Sequence, residues 1–194
     1  MSLQLSFEGF DAGLRPKDRL FWAILPDPGA AARADQVKDD QHRKHGLRGS
    51  LILKKHFHIT LLHIADYVGV PQHIVALACE AAAGVVMPPF DVAFDCVMSF
   101  SGRPDNLPLV LRGGEGLAAL MTFQQVLVRV MRKAGLRHTA GSRFTPHMTL
   151  MYGDRRVAEE PVKTVGWTVR EFVLVHSLLG LREHVLLGRW PLRG

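Results

Sequence analysis

A four-residue pattern, His-x-Thr-Leu, occurs twice in this 194-residue chain, once in each half. The two copies are His58-Ile59-Thr60-Leu61 and His147-Met148-Thr149-Leu150, and both lie in apolar, strand-like surroundings. Because alternate residues of a strand share a face, the His and Thr of each copy project together while the apolar residues enter the opposite face. The fold must therefore provide two half-buried strands, each presenting an imidazole beside a hydroxyl.

These residue types suit acid–base chemistry at phosphorus. Imidazole titrates near pH 6.5, so at neutral pH one His can accept a proton while another donates one. A Thr hydroxyl can donate a hydrogen bond to a phosphoryl oxygen. Two such pairs facing each other across a cleft could hold a phosphodiester between an acid and a base, and this chemistry requires no metal.

Composition and charge narrow the class of protein. Hydrophobic residues make up 47% of the chain and charged residues 22%, which predicts a folded, soluble protein, and the length favours one domain. The apolar runs are too short to cross a bilayer and the N-terminus lacks the layout of a signal peptide, so we expect a cytoplasmic protein with no membrane partner. The net charge of +6 favours a polyanionic partner. Without a CxxC spacing, Cys79 and Cys96 are interpreted as buried free thiols.

Hydrophobic periodicity predicts an α+β fold. Predicted helices cover residues 30–45, 71–83 and 115–134, and predicted strands cover 19–25, 51–53, 57–64, 90–98, 107–111, 148–152, 171–179 and 185–190. A glycine follows each predicted helix, as expected at a helix C-terminus. Runs of neighbouring strands between the helices favour largely antiparallel sheets. Residues 1–18 are interpreted as an N-terminal arm, and the folded part is expected to cover 19–194.

One predicted strand has a regular alternation. From residue 90 onward, apolar residues occupy every second position, which predicts one buried face made of Phe90, Val92, Phe94, Cys96 and Met98. Asp91 and Asp95 are expected on the opposite, solvated face.

The chain resembles the two-histidine (2H) phosphoesterases, in particular the branch of 2′-5′ RNA ligases and RNA 2′,3′-cyclic phosphodiesterases. The resemblance runs from Arg19 to Leu192. Besides the two His-x-Thr motifs, it is carried by Arg19-Leu20-Phe21-Trp22-Ala23, Phe144-Thr145-Pro146, Phe172-Val173-Leu174-Val175-His176-Ser177 and Trp190-Pro191-Leu192.

The resemblance implies two pseudo-symmetric α+β lobes with largely antiparallel sheets around a central cleft, forming a single bilobal domain. It implies that a ribose 2′,3′-cyclic phosphate is opened to a 2′-phosphate without metal or cofactor, with reversible 2′-5′ RNA joining as a further activity. The expected partners are RNA ends or small nucleotides that carry a cyclic phosphate, and no DNA.

The resemblance also assigns roles. His58 is expected to be the general acid for the departing 3′ oxygen and His147 the general base that activates water, although the two roles could be exchanged. Thr60 and Thr149 are expected to hold the phosphate.

The chain departs from this branch in two places. Where the branch often has a basic residue shortly after the second motif, this chain has Met151-Tyr152, and His184 stands where a Tyr often precedes the final strand. Arg143 and Tyr152 could contact substrate instead, although a surface Arg and a packed Tyr explain them equally well.

Two alternatives remain at this stage. His56 and His58 share a strand face, and with His63, Asp66 or Asp154 they could form a metal site. A non-catalytic RNA-binding protein could instead use a basic cluster made of Arg129, Arg132, Lys133, Arg137 and Arg143. The other histidines are interpreted as surface or packing residues, namely His42, His45, His73, His138, His176 and His184. No glycine-rich phosphate-binding motif is present, so no nucleotide cofactor is expected.

Overall fold

The computed structural model describes residues 15–136 and 144–194, and within them it contains three α-helices and nine strands. The helices are α1 Pro28–His45, α2 Gln72–Ala83 and α3 Ala118–Lys133. The strands are β1 Asp18–Ile24, β2 Gly49–Leu51, β3 Ile59–Tyr67, β4 Phe90–Ser99, β5 Leu107–Arg112, β6 Met148–Gly153, β7 Glu160–Val169, β8 Glu171–Leu178 and β9 Glu183–Pro191. Single turns of 3-10 helix lie at Lys54–His56 and Glu115–Leu117.

The strands form two sheets in which neighbouring strands are antiparallel. The four-stranded sheet has the order β3-β1-β8-β9, and the five-stranded sheet has the order β2-β6-β5-β4-β7. The predicted α+β class with antiparallel sheets is therefore confirmed, and the chain crosses between the sheets more than once.

A repeated unit relates the two halves of the chain. In the first half, β1 leads into α1, and the chain returns as β3 antiparallel to β1. In the second half, β5 leads into α3, and the chain returns as β6 antiparallel to β5. Each His-x-Thr motif thus lies at the start of the returning strand, one in each sheet.

A single apolar core joins the sheets and helices. Buried side chains from both sheets and from all three helices belong to one hydrophobic cluster. In α3 the ring of Phe123 contacts Phe90 of β4 and Phe172 of β8, so this helix packs against both sheets. Helix α1 packs against β6 and β7. A small second cluster, Phe21, Ala23, Val173 and Val175, covers the other face of the four-stranded sheet.

Helix α1 has local signals at both ends. The carboxylate of Asp27 accepts a 2.7 Å hydrogen bond from the Ala30 amide, and Pro28 occupies the first turn, where no amide donor is needed. Gly46 ends the helix with a φ of 56°, a left-handed conformation that favours glycine. The predicted C-terminus of this helix is confirmed.

Strand β7 is absent from the sequence prediction. Pro161 and Gly166 lie within it, and both residue types are disfavoured inside central strands. The strand is tolerated because it lies at the edge of the five-stranded sheet and pairs only with β4. The alternation of buried Val165, Trp167 and Val169 was the available signal.

The predicted alternation in β4 is correct only in its first half. It holds through Phe94, after which Val97 and Ser99 are buried while Cys96 and Met98 are half-buried. A register shift against β7 lies between Phe94 and Cys96, where one residue of β4 is opposite three residues of β7, and the buried face of β4 changes at this point.

Two further expectations need correction. Cys79 and Cys96 are free thiols but half-buried, not fully buried, and burial raises the pKa of each. The second strand lies at Gly49–Leu51, two residues before its predicted position, because the chain turns into 3-10 helix directly after Leu53. No helix within residues 15–136 and 144–194 is both long and apolar enough to span a membrane.

Candidate active site

The two His-x-Thr motifs have the same alternation of exposure. In each copy the His and Thr are half-buried and the residue after each of them is buried, so imidazole and hydroxyl share one face. His58 and His147 lie one residue before β3 and β6, respectively, and Thr60 and Thr149 are the second residues of those strands.

The fourth residue of each motif causes the same irregularity in strand pairing. Between β1 and β3, Trp22 pairs with Leu62 and Ala23 with Thr60, so Leu61 has no partner. Between β5 and β6, Leu109 pairs with Met151 and Val110 with Thr149, so Leu150 has none. Such an extra residue bends a strand and re-aims the neighbouring side chains. The repeated Leu is therefore a structural part of the motif.

Both histidines are held by the same backbone contact. Nδ1 of His58 lies 2.7 Å from the carbonyl oxygen of His56, and Nδ1 of His147 lies 2.7 Å from that of Thr145. A carbonyl only accepts hydrogen bonds, so each Nδ1 carries a proton and donates it. Each Nε2 is then the nitrogen that exchanges protons with a ligand.

An aromatic ring also packs on each of these histidines. The ring centroid of Phe21 lies 5.0 Å from that of His58, and the ring centroid of Phe100 lies 4.9 Å from that of His147. Together with the Nδ1 hydrogen bond, this packing restricts both imidazoles to one orientation.

The two motifs face one cleft. It has a volume of about 690 Å³, and its walls come from both sheets. Burial chiefly lowers the pKa of His58, and the charge of the nearby His147 lowers it further. The cleft is lined by Arg19, Phe21, Ser50, Leu51, Ile52, Leu53, His56, His58, Thr60, His63, Asn106, His147, Thr149, Tyr152, Ser177, Arg182 and His184.

Two more imidazoles surround His58. The ring centroid of His184 lies 5.3 Å from that of His58 and 4.7 Å from that of His56. Burial is the main cause that lowers the pKa of His58, and burial together with the charges of His58 and His56 lowers the pKa of His184 to about 4. His184 was expected to be a surface or packing residue, so its place in the cleft was missed. The departure from the Tyr of the related branch was the only signal.

The remaining predicted contacts have different outcomes. Tyr152 lies in the cleft wall, where it pairs through its backbone with Ser50 of β2. Arg143 lies outside the described residues. Arg19 lies in the cleft too, where its guanidinium makes two 2.7 Å hydrogen bonds to the carboxylate of Asp66.

A comparison with protein-family models decides the family. The model of the 2′-5′ RNA ligase superfamily matches residues 26–180, which is most of the chain. The chain belongs to the 2′-5′ RNA ligase superfamily. Enzymes of this 2H phosphoesterase class hydrolyse or join phosphodiester bonds. Among curated protein sequences, none matches this chain.

Several solved structures have a similar fold. E. coli LigT without ligand superposes with a TM-score of 0.72 at 19% identity over 93% of this chain and 100% of LigT. Its complex with 3′-AMP gives 0.69 at 23% identity with the same coverage. TT0787 of Thermus thermophilus gives 0.69 at 21% identity over 91% of this chain and 98% of that protein. E. coli LigT has also been solved with NADP+, ATP and phosphate.

The carboxylates of the alternative metal site have other partners in this superfamily member. Asp66 binds Arg19 and lies 2.8 Å from Nε2 of His63, and Asp154 binds the amide and side chain of Arg48. The cation of Arg19 lowers the pKa of Asp66 to about 2. In the described part of the chain, no three His, Cys, Asp or Glu side chains are grouped as a metal ion would require.

The described members of the basic cluster of the alternative RNA-binding protein lie outside the cleft lining. Arg129, Arg132 and Lys133 are exposed on α3 and are absent from the cleft lining. Arg137 and Arg143 lie outside the described residues.

Proposed function

We propose that this protein hydrolyses the 2′,3′-cyclic phosphate of RNA ends or nucleosides to a 2′-phosphate, without a metal ion. The observation that carries the proposal is the matched pair of histidines, each donating a hydrogen bond from Nδ1 to a backbone carbonyl, which leaves Nε2 as the nitrogen that exchanges protons with substrate. The two Thr hydroxyls beside them suit the non-bridging oxygens of one phosphate. The nucleotide and phosphate complexes of E. coli LigT support a ligand of this class.

The proposed reaction needs one acid and one base on opposite sides of phosphorus. His147 takes a proton from water, whose oxygen attacks phosphorus as the bond to the 3′ oxygen breaks. His58 gives its proton to that departing oxygen, so the products are a 2′-phosphate and a free 3′-hydroxyl. A 5′-hydroxyl of a second RNA in place of water would give a 2′-5′ linkage by the same two transfers.

The lowered pKa of His58 bears on its role as the acid. Burial, and next the neighbouring histidines, favour its neutral form. A bound anionic phosphate favours the charged form of an adjacent imidazole. Substrate binding therefore favours protonation of His58, which the role of general acid requires.

The test is turnover of uridine 2′,3′-cyclic phosphate in excess EDTA, with the position of phosphate in the product identified by chromatography. We expect the 2′-phosphate, and we expect His58→Ala and His147→Ala each to lose about 10²- to 10⁴-fold in kcat. His73→Ala, an exposed His on α2, is the matched control. Absence of turnover, or activity indifferent to both motif histidines, would overturn the proposal.

A further inference from the structure

The cleft contains two arginines with different bonding partners. Arg19 is held by Asp66 through two hydrogen bonds of 2.7 Å, and this carboxylate also contacts His63. The pairing neutralises the guanidinium and occupies one edge of its donor fork. Arg19 therefore offers little net charge to a ligand.

Arg182 has no such partner. It is exposed in the turn between β8 and β9, and its Nη2 donates a hydrogen bond of 3.3 Å to the hydroxyl of Ser50 on β2. That bond is long, exposed and made to a neutral acceptor, so a ligand can displace it readily. None of the ion pairs among residues 15–136 and 144–194 involves Arg182.

The side chain of Arg182 connects the two sheets at the mouth of the cleft. Its own turn belongs to the four-stranded sheet, whereas Ser50 belongs to the five-stranded sheet. The backbone of Arg182 has a φ of 54°, a left-handed conformation that is unfavourable for a long side chain and favourable for glycine. Unfavourable backbone conformations cluster at functional sites. The conformation of Arg182 at the edge of the candidate site therefore points to a function for its side chain.

More unpaired charge lies close to this end of the cleft. Lys54 and Lys55 are exposed in the 3-10 turn that leads into the first motif, and neither forms an ion pair within the described ranges. Lys55 is near enough to His56 for its charge to lower the pKa of that imidazole. Next to them, the half-exposed Leu51 and Leu53 line the cleft and offer apolar surface to a base or ribose.

We infer that Arg182 forms a second phosphate subsite at the mouth of the cleft, which binds the internucleotide phosphate next to the terminal cyclic phosphate. This inference rests on the proposed function of the paired histidines. A mononucleoside cyclic phosphate has one phosphate, and the two motifs account for it. An RNA chain has a second phosphate one nucleotide away, and a forked guanidinium binds such a group through two donors. The protein therefore selects the ends of RNA chains over mononucleotides.

The test compares kcat/KM for uridine 2′,3′-cyclic phosphate with kcat/KM for an RNA hexamer that ends in the same group. We expect Arg182→Gln to lower the ratio of hexamer to mononucleotide about tenfold, through KM, which is the effect of losing one charge-assisted hydrogen bond. The salt dependence of hexamer binding should also become shallower by about 0.7 in log–log slope. Arg182→Gly should lower the same ratio to a similar degree. Because the backbone at this position favours glycine, that decrease cannot be attributed to misfolding.

The controls separate charge from position. Arg129→Gln removes the same charge from the exposed face of α3, outside the cleft, and should leave the ratio as in the wild type. Arg182→Lys keeps the charge without the fork and should fall between the wild type and Arg182→Gln. An unchanged ratio in Arg182→Gln, or an equal fall in Arg129→Gln, would overturn the inference.

A binding measurement distinguishes failure of the subsite from failure of the proposed function. A fluorescent RNA hexamer ending in a 2′-phosphate is titrated with His147→Ala and with the double variant His147→Ala/Arg182→Gln, and anisotropy is followed. If the wild type turns over neither substrate, the proposed function fails, while about tenfold weaker binding by the double variant still supports the subsite. Equal binding by both proteins contradicts the subsite whatever the turnover.

Discussion

At the scale of single residues, the two motif histidines have the same contacts but different electrostatic surroundings. Each donates its Nδ1 proton over 2.7 Å to the carbonyl two residues earlier, and each packs on a phenylalanine ring. Only His58 also has His56 and His184 beside it. Because burial and neighbouring imidazoles disfavour a proton, the pKa of His58 is lowered. This asymmetry makes the two proton-transfer roles experimentally separable.

The first prediction separates acid from base. A cyclic phosphate whose 3′ bridging oxygen is replaced by sulfur needs no proton to release its leaving group. The loss in kcat caused by His58→Ala should therefore shrink from about 10²- to 10⁴-fold to about tenfold or less on this substrate. The loss caused by His147→Ala should persist, because water must still be deprotonated. Single-turnover kinetics measure the loss in each variant. If the sulfur-substituted substrate restored the rate of His147→Ala and not that of His58→Ala, the two roles would be reversed.

The second prediction concerns His184 and acid. Its pKa is about 4 in the folded protein against an ordinary 6.5, so the unfolded chain binds a proton between these values that the folded protein does not. The free energy of unfolding contributed by this group therefore falls as the pH drops from 6.5 to 4 and levels off below. When the pH is lowered from 7.5 to 5, the free energy of unfolding of His184→Phe should fall by about 1 kcal/mol less than that of the wild type. This figure allows for solvent screening of a half-buried side chain.

Urea denaturation at the two pH values measures this difference. His73→Phe, at an exposed position on α2, is the control and should follow the wild type. Equal losses in His184→Phe and in the wild type would show that His184 is not held neutral by its surroundings.

At the scale of strands, each motif contains an irregularity in its pairing with β1 or β5. Leu61 and Leu150 are both buried, and each is skipped in the pairing with the neighbouring strand. The next residue in each strand is buried as well, so two consecutive side chains enter the core. This local bend occurs one residue after Thr60 or Thr149, and it sets the direction of the hydroxyl.

The third prediction tests that dependence. Leu150→Ala leaves a cavity in the core and should lower the free energy of unfolding by about 2–5 kcal/mol. Because Thr149 lies next to the cavity, kcat should fall as well under conditions where the variant remains folded. Leu127→Ala, an equally buried position on α3 outside the cleft lining, should be destabilised to a similar degree with kcat unchanged. Equal kcat in the two variants would contradict a role for the bend.

The strands show where sequence patterns suffice and where they do not. The C-terminus of α1 was predictable, because a left-handed glycine acts locally, whereas the helix begins at Pro28, two residues before its predicted start. The change of buried face in β4 after Phe94 was not predictable, because the register shift that accompanies it exists only in the pairing with β7. The edge strand β7 was hidden by Pro161, which an edge position tolerates. Features set by strand pairing leave little trace in one segment of sequence.

At the scale of the molecule, two sheets share one apolar core. The buried cluster continues from the four-stranded to the five-stranded sheet, and Phe123 of α3 contacts a ring on each. Because neither sheet has a large core of its own, we expect the lobes to unfold together. The fourth prediction is that the two sheets share one denaturant midpoint.

Three tryptophans allow that measurement. Trp22 and Trp190 report on the four-stranded sheet and Trp167 on the five-stranded sheet. In Trp167→Phe, and separately in Trp22→Phe/Trp190→Phe, the fluorescence midpoint should coincide with the midpoint from far-UV circular dichroism of the same variant. A fluorescence transition that separates from circular dichroism in either protein would indicate two independently folding lobes.

The candidate site shows the same division between local and assembled features. His58, Thr60, His147 and Thr149 were predicted because the motif repeats along the sequence. The other groups around the cleft come from separate segments that share no repeated motif, and only the assembled sheets bring them together. His184 and Arg182 belong to the turn and strand after β8, far in sequence from both motifs.

The central claim is that both Nε2 atoms face one phosphate, and side-chain ¹⁵N NMR of the histidines tests it most directly. In their neutral forms, His58 and His147 should each be protonated at Nδ1, since both donate from that nitrogen to a carbonyl. Addition of uridine 2′-monophosphate should shift the Nε2 resonances of both residues with one common dissociation constant. A proton on Nε2 of either residue, or a shift confined to one of them, would contradict the claim.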